Sequence, residues 1–179
     1  MMLIMDYDIV VFTPPCDPGA ERYAAKARLK VDINEVFPYL NATLRGAVYN
    51  PAAPALTWKK GGHNLAFHPY EIAISNVEDR QAAEKEIEDL IALVNRTWER
   101  REDIDPDFET HQRPIPLTVY KLLPRTNCKV CGEPTCYYFA LKLVAAQRSL
   151  DECPALSEPE HQKNYTDLRN ILPEAPAIG

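Results

Sequence analysis

Glycine is scarce in this chain, six residues in 179. None of the six builds a phosphate-cradling loop, and neither a nucleophile elbow nor a two-histidine metalloprotease helix occurs. P-loop nucleotide chemistry, serine-hydrolase chemistry and zinc proteolysis therefore have no motif to rest on, and no catalytic centre is legible. Long hydrophobic runs are missing as well. No stretch of 18 or more apolar residues occurs, so no membrane-spanning helix is expected. The opening Met-Met-Leu-Ile-Met-Asp-Tyr-Asp has no basic segment and meets acids early, unlike a signal peptide, and the expectation is a cytoplasmic protein. Basic residues are outnumbered, 20 against 26 acidic, which argues against a general affinity for nucleic acid.

What is present is ample apolar material, 46% of the residues, enough for one domain or one domain with a small module. Charge is spread unevenly. Residues 1–116 hold 13 basic and 19 acidic side chains, whereas residues 117–179 hold seven of each. Between them runs a polar stretch punctuated by Pro106, Pro114 and Pro116. Proline fixes φ and removes a donor, so residues 105–116 read as an extended connector between a domain at 1–104 and a module at 117–179.

In the first region, residues 7–12 form an apolar run ended by Thr13-Pro14-Pro15, a strand pattern. Residues 25–33 alternate with period two, a half-buried strand. Residues 34–44 place Val36, Phe37, Leu40 and Leu44 on one helical face. Residues 56–60, 64–68 and 71–75 are three short strands, the first pair joined at Gly61-Gly62. Residues 79–101 are the longest helix, with Ala83, Ile87, Leu90, Ile91, Val94 and Trp98 in one continuous stripe. The fold class is α+β: an N-terminal antiparallel sheet packed by a long helix, then a small, mainly helical four-cysteine module. His63 and His68, five apart on one strand, point to opposite faces and read as surface histidines. Cys16 sits in a turn-rich loop and reads as an ordinary thiol, the alternative being an exposed, redox-active one, and residues 50–54 read as a rigid loop.

The chemistry is concentrated further on. Cys128, Cys131, Cys136 and Cys153 follow the spacing C-x2-C-x4-C-x16-C, with Pro154 directly after the last. Three thiols within nine residues, in a chain with five cysteines, form a metal-ligand pattern. Four thiolates converging on one point hold either an iron–sulfur cluster or a zinc ion. Gly132 relieves crowding and can take positive φ. A helix is expected from about Pro134 to Arg148, with Cys136 in its first turn and Phe139, Ala140, Leu143, Val144 and Ala146 facing inward. A second helix is expected over 158–172.

Residues 116–156 resemble the small iron–sulfur domain of the corrinoid iron–sulfur protein large subunit, part of the acetyl-CoA synthase/decarbonylase system of anaerobes. They are similar too to cluster modules in the B subunit of Rnf-type electron-transport complexes. The matching residues are Tyr120-Lys121-Leu122-Leu123-Pro124, Thr126-Asn127-Cys128, Cys131-Gly132, Pro134-Thr135-Cys136, Phe139-Ala140, Leu150 and Cys153-Pro154. The resemblance implies one 4Fe–4S cluster held by Cys128, Cys131, Cys136 and Cys153. It implies one-electron transfer or redox support for an anaerobic enzyme, with a corrinoid protein or a reductase as partner. The alternative is a structural or sensory cluster in an interaction module. Two positions depart from the pattern, Lys129 and Ala146, both standing where glycine is usual. A lysine beside the cluster would favour its reduced state.

Overall fold

The structure is a computed structural model that describes residues 1–14 and 22–172; Cys16 lies outside the described residues. Cα proximity divides the chain into two compact units, Met1–Trp58 with His63–His111, and Lys59–Gly62 with Gln112–Gly179.

Six strands form one antiparallel sheet: β1 (Tyr7–Phe12), β2 (Tyr23–Leu29), β3 (Val48–Asn50), β4 (Ala55–Lys60), β5 (His63–His68) and β6 (Glu71–Val77). Their spatial order is β1-β2-β6-β5-β4-β3, so β6 enters between β2 and β5. The register pairs Ala27 with both Ile9 and Ile72, and Phe67 with Ile72. The alternation along each strand then turns Ala25, Ala27, Leu29, Ile72, Ile74, Leu65 and Phe67 inward together. Gly61 and Gly62 both take positive φ, 58° and 85°, as a two-residue hairpin turn requires.

The long helix α2 (Arg80–Glu99) covers this apolar face. The Asp79 side chain caps it by accepting from the Ala82 N–H at 2.8 Å. Ala83, Ile87, Leu90, Ile91 and Val94 are buried against the sheet, each large aliphatic chain contributing about 1.5–3 kcal/mol. Trp98, at the end of the stripe, is half-buried and carries the Arg101 guanidinium 4.2 Å above its ring. The short helix α1 (Phe37–Thr43) follows a 3-10 turn at Asn34–Val36.

Some elements differ from the sequence expectations. The strand expected over 25–33 runs from Tyr23 to Leu29, because its neighbour β6 begins only at Glu71 and the ladder has no partner further on. Strand β3 lies just before the loop at 50–54, and three residues are too few for a visible alternation. Two buried asparagines fasten irregular segments. Asn95 Oδ1 accepts from the Leu3 and Ile4 N–H groups at 2.9 and 2.7 Å, and its Nδ2 donates to the Ile4 carbonyl at 3.0 Å. Asn41 Nδ2 donates to the carbonyls of Asp107 and Glu109.

The C-terminal region holds α3 (Pro116–Leu122), α4 (Cys136–Val144) and α5 (Gln162–Ile171); a loop joins the first two and three 3-10 turns lie between the last two. Among the described residues no helix is long and apolar enough to cross a membrane.

Candidate metal centre

The helix α3 explains why the cysteine loop starts where it does. Pro116 occupies its first turn, where a missing N–H costs nothing, and Val119 and Leu123 are buried beneath it. The reading of residues 105–116 as extended concealed this helix, although the apolar spacing at 119, 122 and 123 was its signal. Pro124 then ends any continuation, and the backbone enters an unusual run. Arg125, Asn127 and Lys129 take φ of 60°, 50° and 62°, with no positive φ at the residues between them, and Gly132 follows at 85°. Backbone N–H groups of this run do reach sulfur, that of Val130 at Cys128 and that of Asn127 at Cys136. A left-handed conformation costs a lysine such as Lys129 about 1 kcal/mol that glycine would not incur.

Helix α4 starts two residues later than expected. Thr135 is its cap, accepting from the Tyr138 N–H at 3.1 Å, so Pro134 stands outside and Cys136 is the first helical residue. The helix also stops at Val144 rather than near Arg148. Ala146, with φ 56°, reverses the chain: its N–H donates to the Leu143 carbonyl at 3.1 Å and the Gln147 N–H to the Lys142 carbonyl at 2.9 Å. That pair of bonds is a Schellman stop, which glycine ordinarily occupies. Phe139, Ala140, Leu143 and Ala146 are buried as expected.

All four cysteines of the motif are free thiols, and all four line one pocket together with Leu123, Pro124, Thr126, Asn127, Lys129, Glu133, Thr135 and Phe139. Cys128 is exposed, Cys131 half-buried, and Cys136 and Cys153 are buried. Burial pushes the Cys153 thiol up. The neighbouring sulfurs of Cys131 and Cys136 add to this, while the backbone N–H groups of Leu156 and Ala155 oppose it. The Cys128 thiol is held down by the Val130 backbone N–H and the Thr126 side chain. A sulfur-only donor set, part buried and part served by N–H groups, fits a thiolate-bound metal centre.

Two residues at this site were given no role by sequence reasoning. Asn127 grips Cys136 twice: its Oδ1 accepts from the Cys136 N–H at 2.8 Å, and its own N–H donates to Cys136 Sγ at 3.4 Å. Glu133 is buried, its side chain 3% exposed, and its Oε1 receives Lys142 Nζ at 2.9 Å and the Arg148 guanidinium at 2.8 Å. The hydrogen bond from Lys142, and after it that from Arg148, hold this carboxyl below its ordinary value against the effect of burial. Arg148 also binds Glu152 at 2.6 Å, and Glu152 closes a capping box on Ser149 one step before Cys153. A chain of charges thus ties the loop bearing three thiols to the segment bearing the fourth. The signal for Glu133 was a lone acid among five basic residues between 117 and 148.

The histidines play no part here. His63 Nδ1 lies 3.0 Å from the Asn76 carbonyl, and His68, at the other end of β5, is exposed.

Comparison with known proteins places this region. Residues 123–155 match the family model described as "Putative Fe-S cluster". The acetyl-CoA decarbonylase/synthase complex subunit gamma of Methanocaldococcus jannaschii is 50% identical over 56 residues, 31% of this chain and 12% of that protein. Its counterpart in Methanothermobacter thermautotrophicus is 48% identical over 62 residues, covering 35% and 12%. The corrinoid/iron-sulfur protein large subunit of Moorella thermoacetica is 49% identical over 47 residues, covering 25% and 10%. The chain thus spans about an eighth of these relatives' length. No solved structure matches it. Residues 123–155 thus match an iron–sulfur cluster model, and the relatives similar to this region include gamma subunits of acetyl-CoA decarbonylase/synthase complexes and a corrinoid/iron-sulfur protein large subunit.

Proposed function

We propose that Cys128, Cys131, Cys136 and Cys153 together hold one 4Fe–4S cluster, and that the protein passes single electrons through it as a carrier or redox accessory. The observation carrying this reading is that the motif's four thiols, spread over 26 residues of sequence, line a single pocket. When bound, the cluster supplies one-electron chemistry at low potential. The chain's own part is to supply four thiolates, to direct N–H groups at sulfur, and to keep two of the ligands away from water.

Sulfur spacing favours a cluster over a single zinc ion. Among the described residues, the one group of three Cys, His, Asp or Glu whose ligand atoms all lie within 4.8 Å of one another is Glu158, Glu160 and His161. No three of the thiol sulfurs meet that limit. Tetrahedral zinc at about 2.3 Å would draw four sulfurs to about 3.8 Å apart.

The relatives' names link this module to acetyl-CoA decarbonylase/synthase complexes and a corrinoid protein, and we place the protein in anaerobic metabolism, inside the cell, with a corrinoid protein or a reductase as the redox partner. The first 111 residues carry no motif for substrate chemistry. A structural or sensory role for the cluster has one observation in its favour: Cys136 and Cys153 belong to the module's small apolar core. Anaerobic reconstitution with iron and sulfide tests the whole reading. Four irons and four sulfides per chain, with a paramagnetic signal on reduction, are expected. Stoichiometric zinc without iron would end it. A cluster that resists reduction, while its loss unfolds the module, would select the structural role.

A further inference from the structure

The four thiols differ in exposure, and that difference gives the proposed centre a front and a back. Cys136 and Cys153 are 9% and 5% exposed, whereas Cys128 is exposed and Cys131 half-buried. Electron tunnelling weakens steeply with distance, so a partner has to approach from the Cys128 side.

The segment that carries Cys128 is electrically distinct from the one that follows it. Residues 117–148 hold five basic and one acidic side chain; residues 149–179 hold two basic and six acidic. The single acid of the first group, Glu133, is buried and taken up by Lys142 and Arg148. Lys121, Arg125 and Lys129 are exposed and carry no carboxylate partner among the described residues. An iron–sulfur cluster with four thiolate ligands is itself anionic. These three cations are therefore exposed, unneutralised positive charge close in sequence to Cys128, Lys129 lining the thiol pocket itself, in a chain of formal charge −6.

The same segment exposes apolar side chains. Val130, between Cys128 and Cys131, is 67% exposed; Tyr137 and Tyr138, directly after Cys136, are 43% and 47%; Leu141, one turn on, is 38%. Tyr137 is braced edge-on against Tyr120 at 5.6 Å, and Tyr138 carries the Lys142 ammonium 5.4 Å from its ring centre. Braced aromatics lose little freedom on binding, and tyrosine and arginine dominate the energetics of protein interfaces.

We infer that the Cys128 edge, framed by Lys121, Arg125 and Lys129 and floored by Val130, Tyr137 and Tyr138, is the docking face for an acidic redox protein. The inference rests on the cluster reading above and names the partner's chemistry. Opposite charge steers the encounter, and the apolar patch holds the pair long enough for one electron to cross.

The test uses the full chain, reconstituted anaerobically. Its reduction is followed by stopped flow with two donors of opposite charge: a photoreduced acidic plant-type ferredoxin and the methyl viologen radical cation. In the Lys121→Glu/Arg125→Glu variant, reduction by ferredoxin is expected to slow about tenfold or more at low ionic strength. The gap should close as salt shortens the screening length to a few ångströms, and the viologen rate should hold or rise. Lys121→Arg/Arg125→Lys should behave as wild type, and Val130→Asp should slow ferredoxin alone. A loaded cluster reduced by ferredoxin at the same rate in all variants would overturn the docking face and leave the cluster reading intact. Failure of the wild-type chain to take up a reducible cluster would remove both. Two results would show that the face serves a different occupant and overturn the inference: a concentration-dependent dimer lost in the charge-reversed variant, or displacement of ferredoxin by single-stranded RNA.

Discussion

The two regions of this molecule are closed by different means. The sheet region surrounds Phe37, Phe67, Ile72, Ile74 and Ile87 with other hydrocarbon, and its buried polar groups Asn95 and Asn41 serve as clasps for the backbone. The module has a shorter apolar roster, Val119, Phe139, Leu143, Leu156 and Leu168 among it, and two members of that core are thiols. A buried carboxylate held by two cations sits beside them. Hydrocarbon needs no partner once water is excluded; a buried charge does, and so do thiols once they ionise as metal ligands. The first region therefore stands by its own packing, and the second depends on what satisfies its sulfur and its charge.

Removing a ligand breaks that contrast most sharply. Cys136→Ser or Cys153→Ser is expected to abolish iron incorporation. Hydrogen exchange should then quicken throughout residues 116–172 while β2, β6 and α2 keep their protection; uniform loosening of both regions would contradict the comparison. The converse change is Ile87→Ala, which opens a cavity under α2. It should cost about 2–5 kcal/mol in the sheet region and leave cluster content unchanged.

Glu133→Gln is expected to destabilise the module by about 2 kcal/mol, below the roughly 3–5 of a fully buried pair, because Lys142 and Arg148 remain about one-third exposed. Its pH dependence has a definite sign. The folded pKa is depressed, so the carboxylate's contribution is complete above its ordinary value of 4.5 and disappears as the pH falls through the lower folded value. Acid titration of wild type against the variant, followed by near-ultraviolet circular dichroism, reads this directly. The gap between the two should narrow below pH 4.5. A gap that persists in acid would assign the stabilisation to packing.

Asn127→Ala leaves the buried Cys136 N–H without its acceptor, at a cost of about 1–3 kcal/mol, and strains the left-handed turn. The reduction potential should fall as the N–H bond to sulfur loosens, with Asn127→Gly falling less because glycine keeps the turn. Equal potentials in the two variants would deny Asn127 that role. The smallest effect runs the other way. Ala146→Gly should stabilise the module by about 0.5–1 kcal/mol in denaturant unfolding, since glycine meets no steric cost at φ 56°. A loss would show that the helix stop is unstrained.

Much of this was legible in the residues. The apolar run at 7–12 marked β1, the period-two run at 25–33 marked β2, three short strand patterns marked β4, β5 and β6, and the apolar stripe from Ala83 to Trp98 marked α2. The boundaries were less visible. Where β2 ends depends on where β6 begins, more than 40 residues later. α3 was hidden by flanking prolines that serve a helix start as readily as an extended chain. At the site, the cysteine spacing identified every thiol of the pocket, whereas Glu133 and Asn127 looked like ordinary loop residues. A carboxylate's burial and an amide's reach depend on which distant side chains fold over them.

The sequence alone determined the thiol set and its chemical character, because three of the sulfurs lie on one short loop whose geometry is local. It determined the α+β class for the same reason, since strand and helix periodicity are properties of neighbouring residues. Only the tertiary structure decided the strand order with β6 at its centre and the return of Cys153 to the pocket. It alone paired Glu133 with Lys142 and Arg148 and left Cys128 facing water. Each of these joins residues far apart in the chain, and such contacts are set by packing and charge in three dimensions.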